Sequence, residues 1–463
     1  MQAVGFEPGE DRHAALQRKR VESEPTWEHE GSSTGDEGGL PESEDTVDYN
    51  VDFRDVKFQV FDWLPTERLL GHGLYADWDR DSLEMVLAEA LKISQEELAP
   101  SNEPGDEEGC VLENGVVKVS ESFKAPYKTI AEGGWIGCVS GTEYGGLGMP
   151  IVVGTAVNEF FSGANLSLAL VLMLTRGASE LVEEFGTDEM RELFCEKLFS
   201  GEWTGTMCLT EPQAGSDVGA STSRAEPQEN GRYLISGEKI FITYGDHDLT
   251  DNVIHAVLAR LPGAPPGTKG LSLFLVPKFR VNPDGSLGEP NDVQCASIEH
   301  KMGIHGSPTC SMLFGQKGSC EGFLIGEENK GMKLMFTMMN AARIEVGLQG
   351  VGLGAAAHQA ALAYARERVQ SRHWGAARDA APVPIVEHPD VRRQLMIMKA
   401  YVEGIRSLMY YVGSCFDHIE ISDDEDEKAK YQGIIDVLIP IAKGYVTDKA
   451  FEVCSHGIQV YGG

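Results

Sequence analysis

Residues 207–217 combine an apolar start with a small, hydroxyl-rich loop that could hold a polar ligand. Pro212 cannot donate to a β-ladder and Gly215 tolerates positive φ, so the chain can bend back here with its N–H groups directed inward. The hydroxyls of Thr210 and Ser216 lie on either side of this bend. Such a loop suits the edge of a polar ring or a pyrophosphate.

A second run, residues 239–243, adds an aromatic ring and a hydroxyl at β-strand spacing. Phe241 and Thr243 are two residues apart, which predicts that they share one face of a strand. This pair suits a flat heterocycle, because the ring can stack on it while the hydroxyl forms a hydrogen bond. Two strands of an ordinary sheet joined by a polar turn explain the same residues, and the chemistry alone leaves both interpretations open.

The composition indicates a globular chain that is long enough for two or three domains, with 463 residues and 42% hydrophobic content. A net charge of −33 disfavours nucleic acid and anionic membranes as partners, although local positive groups decide whether an anionic thioester binds. The nine cysteines include no Cys-x-x-Cys pair, so neither a disulfide framework nor a zinc site is predicted. Reduced thiols, no signal-peptide pattern and no membrane-span pattern together predict a cytoplasmic protein.

Changes in periodicity divide the chain into four segments. Residues 1–48 are acidic and lack apolar periodicity, which predicts a disordered tail. Residues 49–203 are predicted to form an all-helical N-terminal domain, and residues 204–326 a middle β-domain that is barrel-like. Residues 327–463 are predicted to form a C-terminal helical bundle. The expected fold class is therefore α+β multidomain.

The N-terminal domain is predicted to contain a helix over residues 79–98, a loop over 100–109 and an interior helix over 150–174. The period of two in the middle domain predicts six or more strands, including those at 233–242, 252–261, 271–276, 294–299 and 309–314.

Three long helices are predicted near the C-terminus, over residues 332–372, 391–418 and 431–455. The first contains several glycines, and glycine costs up to about 1 kcal/mol relative to alanine inside a helix, so we expect close helix packing there. A bundle of this class needs a fourth helix to close it, and we expect the bundle to be truncated.

The phrase Leu-Thr-Glu-Pro-x-Ala-Gly-Ser-Asp, followed by Phe-Ile-Thr, resembles the flavin-binding signature of the acyl-CoA dehydrogenase family. Helices, a β-domain and a helical bundle are also the layout of that family, and the resemblance covers residues 49–463. Residues 270–278 and 341–350 resemble the branch that includes 3-methylthiopropanoyl-CoA dehydrogenases and related bacterial fatty acyl-CoA enzymes. The resemblance implies FAD as the cofactor.

The resemblance also implies roles for the residues of the first run. Met207, Leu209 and Thr210 would line the isoalloxazine ring of FAD, and Ser216 would lie on the side shared by FAD and substrate. These roles come from the family rather than from the residue spacing.

The second run would supply the remaining contacts to the ring. Phe241 would stack on the ring and Thr243 would form a hydrogen bond near its reactive nitrogen. The family often has Trp where this chain has Phe241, and Asn where it has Tyr244. Neither change removes an aromatic face or the donor at Thr243.

Two further segments match family contacts to the FAD of a neighbouring subunit. Arg368, with Gln370 beside it, matches an arginine on the FAD pyrophosphate, and a surface Glu/Arg pair at a helix end is the alternative. Gln459, Gly462 and Gly463 match a glycine turn against the adenosine side of FAD. Taken alone, a terminal Gly-Gly is only a helix C-cap.

No catalytic base is identified in the chain, and we expect it beyond Gly463. Some relatives place the base immediately before the arginine of the helix that contains Arg343, but that position is Ala342 here. Glu345 is near in sequence but is predicted to lie on a different helix face. Asn340 and Arg343, together with Ser216, remain candidate substrate-side groups.

The resemblance implies an oxidoreductase of fatty acid β-oxidation that converts an acyl-CoA thioester to the 2-enoyl-CoA. The electrons would pass from FAD to an electron-transferring flavoprotein, and the protein would be a homodimer or homotetramer. Two alternatives remain open: a flavin- or acyl-CoA-binding paralogue without catalysis, and an acyl-CoA oxidase. The sequence after Gly463 would separate the first alternative from the enzyme, and the oxygen reactivity of the reduced flavin would separate the second.

Overall fold

The computed structural model describes residues 49–463, so the acidic tail predicted for residues 1–48 lies outside the described residues. The described chain contains helices at both ends and strands between them. The helices are α1 (Phe53–Lys57), α2 (Arg80–Ile93), α3 (Ala99–Glu108), α4 (Lys124–Glu132), α5 (Ile151–Ala164), α6 (Leu166–Phe185), α7 (Asp188–Phe199), α8 (Gly331–Glu367), α9 (Pro389–Ile421) and α10 (Glu425–Tyr461).

The predicted loop at residues 100–109 is wrong, because this segment is helical. Helix α2 begins at a capping box formed by Asp79 and Ser82 and continues through a π-helical turn into α3. Pro100 is the second residue of α3 and directly follows the π-helical turn. The Ser101 hydroxyl of the same turn accepts a hydrogen bond from the buried Asn165 amide at 2.8 Å. Tertiary contact therefore holds a proline-rich helix that local sequence does not favour.

The single interior helix predicted over residues 150–174 is divided into α5 and α6 at Asn165. The Asn165 side chain accepts the N–H of Leu168 at 3.0 Å and so caps α6. The apolar character that predicted an interior position is confirmed, since most side chains of both helices are buried.

The N-terminal domain is not all-helical, because residues 111–118 form a β-hairpin. Its strands are β1 (Val111–Glu113) and β2 (Val116–Lys118). Asn114 and Gly115 join them with φ of 53° and 80°, the left-handed pair that a tight hairpin turn requires. The Val117 N–H donates to the Asp246 carboxylate at 3.0 Å, which attaches the hairpin to the middle domain.

The middle domain contains the remaining strands, apart from one short pair near the C-terminus. They are β3 (Thr204–Cys208), β4 (Arg224–Pro227), β5 (Tyr233–Thr243), β6 (Val253–Arg260), β7 (Leu271–Pro277), β8 (Phe279–Val281), β9 (Leu287–Pro290), β10 (Val293–Ile298), β11 (Thr309–Phe314) and β12 (Glu321–Ile325). The five strands that the sequence predicted lie within one residue of the observed bounds.

Five of these strands close into a ring, which confirms the barrel-like prediction. Strand β5 pairs with β4 and β12, β12 pairs with β7, β7 with β6, and β6 returns to β4. Strand β3 extends the sheet beyond β6 in parallel, and β11 and β10 extend it beyond β5. Buried side chains such as Ile235, Val257 and Phe274 fill the interior.

The three long C-terminal helices pack against one another, and α8 and α9 also pack against α5. A Cβ at Gly352 would lie 2.6 Å from the Glu159 carbonyl of α5, so the close packing predicted from the glycines is confirmed. Helix α8 ends at Glu367, five residues before the predicted end, because β13 (Val369–Arg372) pairs with β14 (Pro382–Pro384). Among residues 49–463, no helix is both long and apolar enough to cross a membrane.

Candidate active site

The two motif runs lie side by side at the edge of the β-ring. After β3 ends at Cys208, the Thr210 carbonyl accepts the N–H of Ile240 in β5 at 2.9 Å. Met207 and Thr210 are half-buried, whereas the Leu209 side chain packs in the core, where it is 8% exposed. Thr210 is thus placed one strand spacing from the Phe-Ile-Thr run.

A buried ion pair that sequence analysis missed fixes this arrangement. The Lys239 ammonium of β5 lies 2.8 Å from a Glu211 carboxylate oxygen and donates to the Leu209 carbonyl at 3.0 Å. Glu211 also accepts the N–H groups of Thr222 and Ser223, at 2.7 and 3.2 Å. Burial alone would raise the pKa of Glu211, but the ammonium and these donors lower it to about 2. Glu211 is therefore ionised at neutral pH. Burial lowers the pKa of Lys239, and the Glu211 carboxylate opposes that shift.

The loop that follows Glu211 turns at Pro212 and then faces outward. Glu211 and Ala214 exchange two backbone hydrogen bonds of 3.1 and 2.9 Å across the turn. Gly215 and Ser216 are exposed, and their N–H groups donate to no other residue within 49–463. A pair of free N–H groups beside a hydroxyl can bind an anionic or carbonyl oxygen.

Strand β5 is irregular at the second motif. Ile240 and Phe241 together oppose one residue of β11, so the strand bulges here, and Phe241 has a φ of 59°. Such a conformation is unfavourable for a bulky side chain and is typical of functional positions. Phe241 is 58% exposed, Ile242 is buried and Thr243 is half-buried. The sequence predicted that Phe241 and Thr243 share one face of a strand, but it could not predict the bulge between β5 and β11.

The two segments that resemble contacts to a second FAD meet at one end of the helical bundle. Tyr364 of α8 stacks on Tyr461 of α10, with ring centroids 4.3 Å apart. Arg368 and Gln370 lie just beyond the first of these rings, and both are exposed. Gln459, Gly462 and Gly463 lie within two residues of Tyr461 in the chain, and Gly462 ends α10 in the left-handed conformation. No hydrogen bond within residues 49–463 connects the Arg368 side chain to another residue.

A cavity of about 450 Å³ lies among α5, α6, α8, α9 and α10, and we call it the helix cavity. Asn340 lines it and accepts a hydrogen bond from Arg343 at 2.9 Å, whereas Arg343 is not part of the lining. The Arg343 guanidinium itself lies over the ring of Phe336, 5.7 Å from its centroid. The structure therefore places one predicted substrate-side residue, Asn340, in the wall of a cavity that the sequence did not predict, with Arg343 hydrogen-bonded to it from outside the lining.

Glu345 also lines the helix cavity, on a face of α8 different from that of Arg343, as predicted. Its carboxylate forms an ion pair with Arg176 of α6 and accepts a hydrogen bond from Asn158 of α5 at 3.2 Å. Burial raises the pKa of Glu345 and Arg176 opposes this shift. Both partners are mostly buried, so this carboxylate holds helices together rather than standing free.

Helices before and after a closed β-ring, with two motif runs joined by a hydrogen bond at its edge, are the layout of a multidomain flavoprotein oxidoreductase. The chain belongs to the acyl-CoA dehydrogenase family. Its residues 80–202, 206–316 and 329–463 match the N-terminal, middle and C-terminal domains of acyl-CoA dehydrogenase.

Relatives of known activity support this assignment. The 3-methylmercaptopropionyl-CoA dehydrogenase of Ruegeria pomeroyi is 42% identical over 419 residues, which cover 90% of this chain and 70% of that protein. The broad-specificity linear acyl-CoA dehydrogenase FadE5 of Mycobacterium tuberculosis is 38% identical, over 90% of this chain and 69% of that protein. Butyryl-CoA dehydrogenase of Megasphaera elsdenii shares the fold, with a TM-score of 0.59 at 22% identity over 83% of this chain and 94% of that chain.

Proposed function

We propose that this protein binds FAD and uses it to dehydrogenate an acyl-CoA thioester between Cα and Cβ, forming the 2-enoyl-CoA. The observation that carries the proposal is the hydrogen bond from Ile240 to Thr210, which joins the two flavin motifs into one surface. When bound, FAD would accept the hydride from Cβ. The electrons would then pass to an electron-transferring flavoprotein, as the family resemblance implies.

The residues at the motif strands fit FAD in their chemistry. The Phe241 ring in the bulge is exposed, so that it can cover a flat heterocycle, and the half-buried Thr243 two residues later would supply a hydroxyl. Met207 and Thr210 would border the ring, and Leu209 would contribute its main chain, since its side chain is in the core. These groups bind and orient the cofactor, and water is excluded where the ring covers them.

Ser216 would lie between cofactor and substrate. Its hydroxyl and N–H are free to donate to a ligand oxygen, as is the N–H of Gly215. Donors aimed at the thioester carbonyl would stabilise the negative charge that develops there when the α proton leaves. Asn340 and Arg343 would approach the substrate from α8.

We further propose that the FAD site is completed by a second subunit. Arg368 and Gln370 would bind the pyrophosphate of a neighbour's FAD, and Gln459, Gly462 and Gly463 would contact its adenosine side. The Tyr364–Tyr461 stack supports this proposal because it holds both segments at one end of the bundle. A homodimer is the smallest assembly in which two such sites complete each other.

Acyl-CoA binding without dehydrogenation is the second candidate function, and it applies if no carboxylate reaches the α proton of the substrate. The side chain of Ala342 carries no carboxylate, and the carboxylate of Glu345 is held by Arg176 and Asn158. General base catalysis typically contributes about 10²–10⁴-fold to a rate, so an enzyme without it would bind its ligands and turn over poorly.

The test is reconstitution of the purified protein with FAD, followed by titration with octanoyl-CoA and 3-methylthiopropanoyl-CoA. A flavin absorbance band that remains after gel filtration supports the cofactor assignment, and bleaching of this band by a thioester under nitrogen supports dehydrogenation. A spectral shift without bleaching favours the second candidate. Failure to retain any flavin would refute the proposed site.

A matched pair of variants shows where the flavin binds. Thr243→Val removes one hydroxyl at the motif and should shift the reduction potential of bound FAD, while the melting temperature stays unchanged. Ser236→Ala removes an exposed hydroxyl from the same strand, remote from the motif, and should leave the potential unaltered. Equal potentials in both variants would argue against contact between Thr243 and the flavin.

A further inference from the structure

The helix cavity lies next to the strands that carry the flavin motifs. Helix α6 provides one of its walls through Arg176, and the preceding Thr175 hydroxyl accepts the N–H of Gly205 in β3 at 3.2 Å. Gly205 is two residues before Met207 on the same strand. Helix α8 provides the opposite wall and carries Asn340. A substrate bound between the motif strands and α8 could therefore extend into this cavity.

The cavity has an apolar wall and an acidic wall. Ile344 and Leu348 of α8, with Ile435 and Ile439 of α10, form the apolar side. The acidic side consists of Glu180, one turn after Arg176 on α6, and Glu184, one turn further. Methylene groups would pack against the first wall.

The charges within the cavity do not balance. Arg176 is the sole positively charged residue among those described that line the cavity, and it is already paired with Glu345. Glu180 lines the same space, and its carboxylate accepts no hydrogen bond from another residue within 49–463. A partly buried carboxyl without a partner is costly to enclose with an apolar ligand.

We propose, on the basis of the proposed function, that the helix cavity receives the end of the acyl chain remote from the thioester and that Glu180 selects chain ends that donate hydrogen bonds, an alkylammonium most strongly. An alkyl chain end would displace water from the Glu180 carboxyl without forming a hydrogen bond to it. An ammonium would supply both a donor and a compensating charge. The substrate class would be acyl-CoA thioesters with a polar, cationic terminus.

The ionisation of Glu180 agrees with this assignment. Burial raises the pKa of Glu180 to about 7, against the opposing effect of Arg176. Such a carboxyl is poised between its two forms at neutral pH, and a cation placed beside it would favour the carboxylate.

The test measures binding with analogues that cannot be dehydrogenated, namely the thioethers S-hexyl-CoA and S-(6-aminohexyl)-CoA. Calorimetric titration of the FAD-reconstituted protein should give a Kd at least about tenfold lower for the amino analogue, the gain expected of one charge-assisted hydrogen bond. The corresponding octyl pair allows for a longer distance to Glu180. Similar affinities for the two members of both pairs would overturn the inference.

Variants assign the preference to a residue. Glu180→Gln should reduce the preference to about threefold or less, and Glu180→Leu should reverse it in favour of the alkyl analogue. Glu183→Gln, a change beside the cavity on the same helix, should retain the full preference. The inference is refuted if Glu180→Gln folds, as shown by circular dichroism, and still prefers the amino analogue as strongly as the unaltered protein.

Failure of the inference and failure of the proposed function give different results. Tight binding of S-hexyl-CoA with no preference for the amino analogue refutes selection by Glu180 and leaves the acyl-CoA site standing. If neither thioether binds to folded protein that contains FAD, the inference about Glu180 and the proposed acyl-CoA site are both refuted.

Discussion

The Lys239 ammonium lies 2.8 Å from the Glu211 carboxylate, and both side chains are buried at the start of the loop that carries the candidate flavin contacts. Breaking a buried pair by removing one charge typically costs about 3–5 kcal/mol, because the other charge stays uncompensated. Glu211→Gln should therefore lower the free energy of unfolding by about that amount. Urea denaturation followed by circular dichroism measures it.

An exposed ion pair provides the control for this substitution. Glu189 lies 2.7 Å from Arg232 at the surface, and Glu189→Gln should leave the unfolding free energy nearly unchanged. A similar loss in both variants would show that the burial of Glu211 has no special effect.

The same pair predicts a dependence on pH. The pKa of Glu211 is about 2 in the folded protein, below the value of roughly 4.3 expected when unfolded, so its contribution is present above the unfolded value and is lost as pH falls through the folded one. The difference in unfolding free energy between unaltered protein and Glu211→Gln should be constant above about pH 5 and shrink towards about pH 2. A difference that does not vary with pH contradicts the prediction.

Arg406 forms another buried charge cluster, between α1, α5 and α9. It lies 2.6 Å from both Glu159 and Asp55, and the Tyr410 hydroxyl donates to Glu159 at 2.8 Å. Arg406→Met leaves Glu159 buried without a cation and should cost about 3–5 kcal/mol in unfolding free energy.

A double variant distinguishes lost charge from lost packing in this cluster. Glu159→Gln combined with Arg406→Met removes the uncompensated charge but keeps an acceptor for Tyr410, so it should recover part of the stability. If the double variant instead loses as much unfolding free energy as the two single variants added together, the charges of Glu159 and Arg406 are not coupled.

Asp417 of α9 should produce the opposite dependence on pH. Its carboxylate accepts the Tyr75 hydroxyl at 2.7 Å and the N–H groups of Ile151 and Val152 at the start of α5. Burial nevertheless raises the pKa of Asp417 to about 6. A raised folded value means that its contribution is present below the unfolded pKa and is lost as pH rises through about 6.

Asp417→Asn tests this sign. Relative to the variant, the unaltered protein should lose unfolding free energy between about pH 4 and pH 6 and change little above that range. Asp436→Asn, an exposed change on α10, should preserve the unaltered profile. A gain in relative stability over the same interval would show that hydrogen bonding outweighs burial at Asp417.

Arg368→Ala should weaken FAD retention if this side chain binds a neighbour's pyrophosphate. A charge-assisted hydrogen bond to phosphate is worth about 1.5–3 kcal/mol, which corresponds to a rise of roughly tenfold or more in the Kd for FAD. The melting temperature of the FAD-free protein should stay the same, because Arg368 is exposed. Fluorescence titration with FAD measures the change.

Arg366→Ala is the matched control for Arg368→Ala. Arg366 is also exposed and lies two residues earlier on α8, and it is not the arginine assigned to the pyrophosphate. It should retain the affinity for FAD. An FAD-saturated monomer by light scattering would contradict the shared site independently of either variant.

Local patterns predicted the strands well because alternation and Gly/Pro turns are encoded within a few residues. The bounds of β11 agree at both ends, for example. The segment over 100–109 was predicted wrongly because its helix depends on distant contacts such as that from Asn165 to Ser101. Turn-forming residues alone could not reveal those contacts.

Residues of the candidate site that belong to a sequence motif could be predicted, whereas contacts that depend on strand register could not. Thr210 and Thr243 each belong to a short run of the same family signature, so the proximity of the two runs could be expected. The partnership of Lys239 with Glu211 depends on which residues of β5 face the loop, and the bulge at Phe241 sets that register. A lysine in the middle of an apolar strand was the available signal, since an unpaired buried lysine is rare.

The closure of the β-ring has a consequence for biosynthesis. Strand β4 reaches the ring near residue 224, but the ring is complete only when β12, which ends at Ile325, joins β5 and β7. About a hundred residues must therefore leave the ribosome after the flavin loop before its scaffold can form. The FAD-binding surface would therefore not exist until the ring has closed, so FAD could not guide the folding of the barrel. We expect the supply of FAD to affect the lifetime of the folded protein rather than the yield of folding.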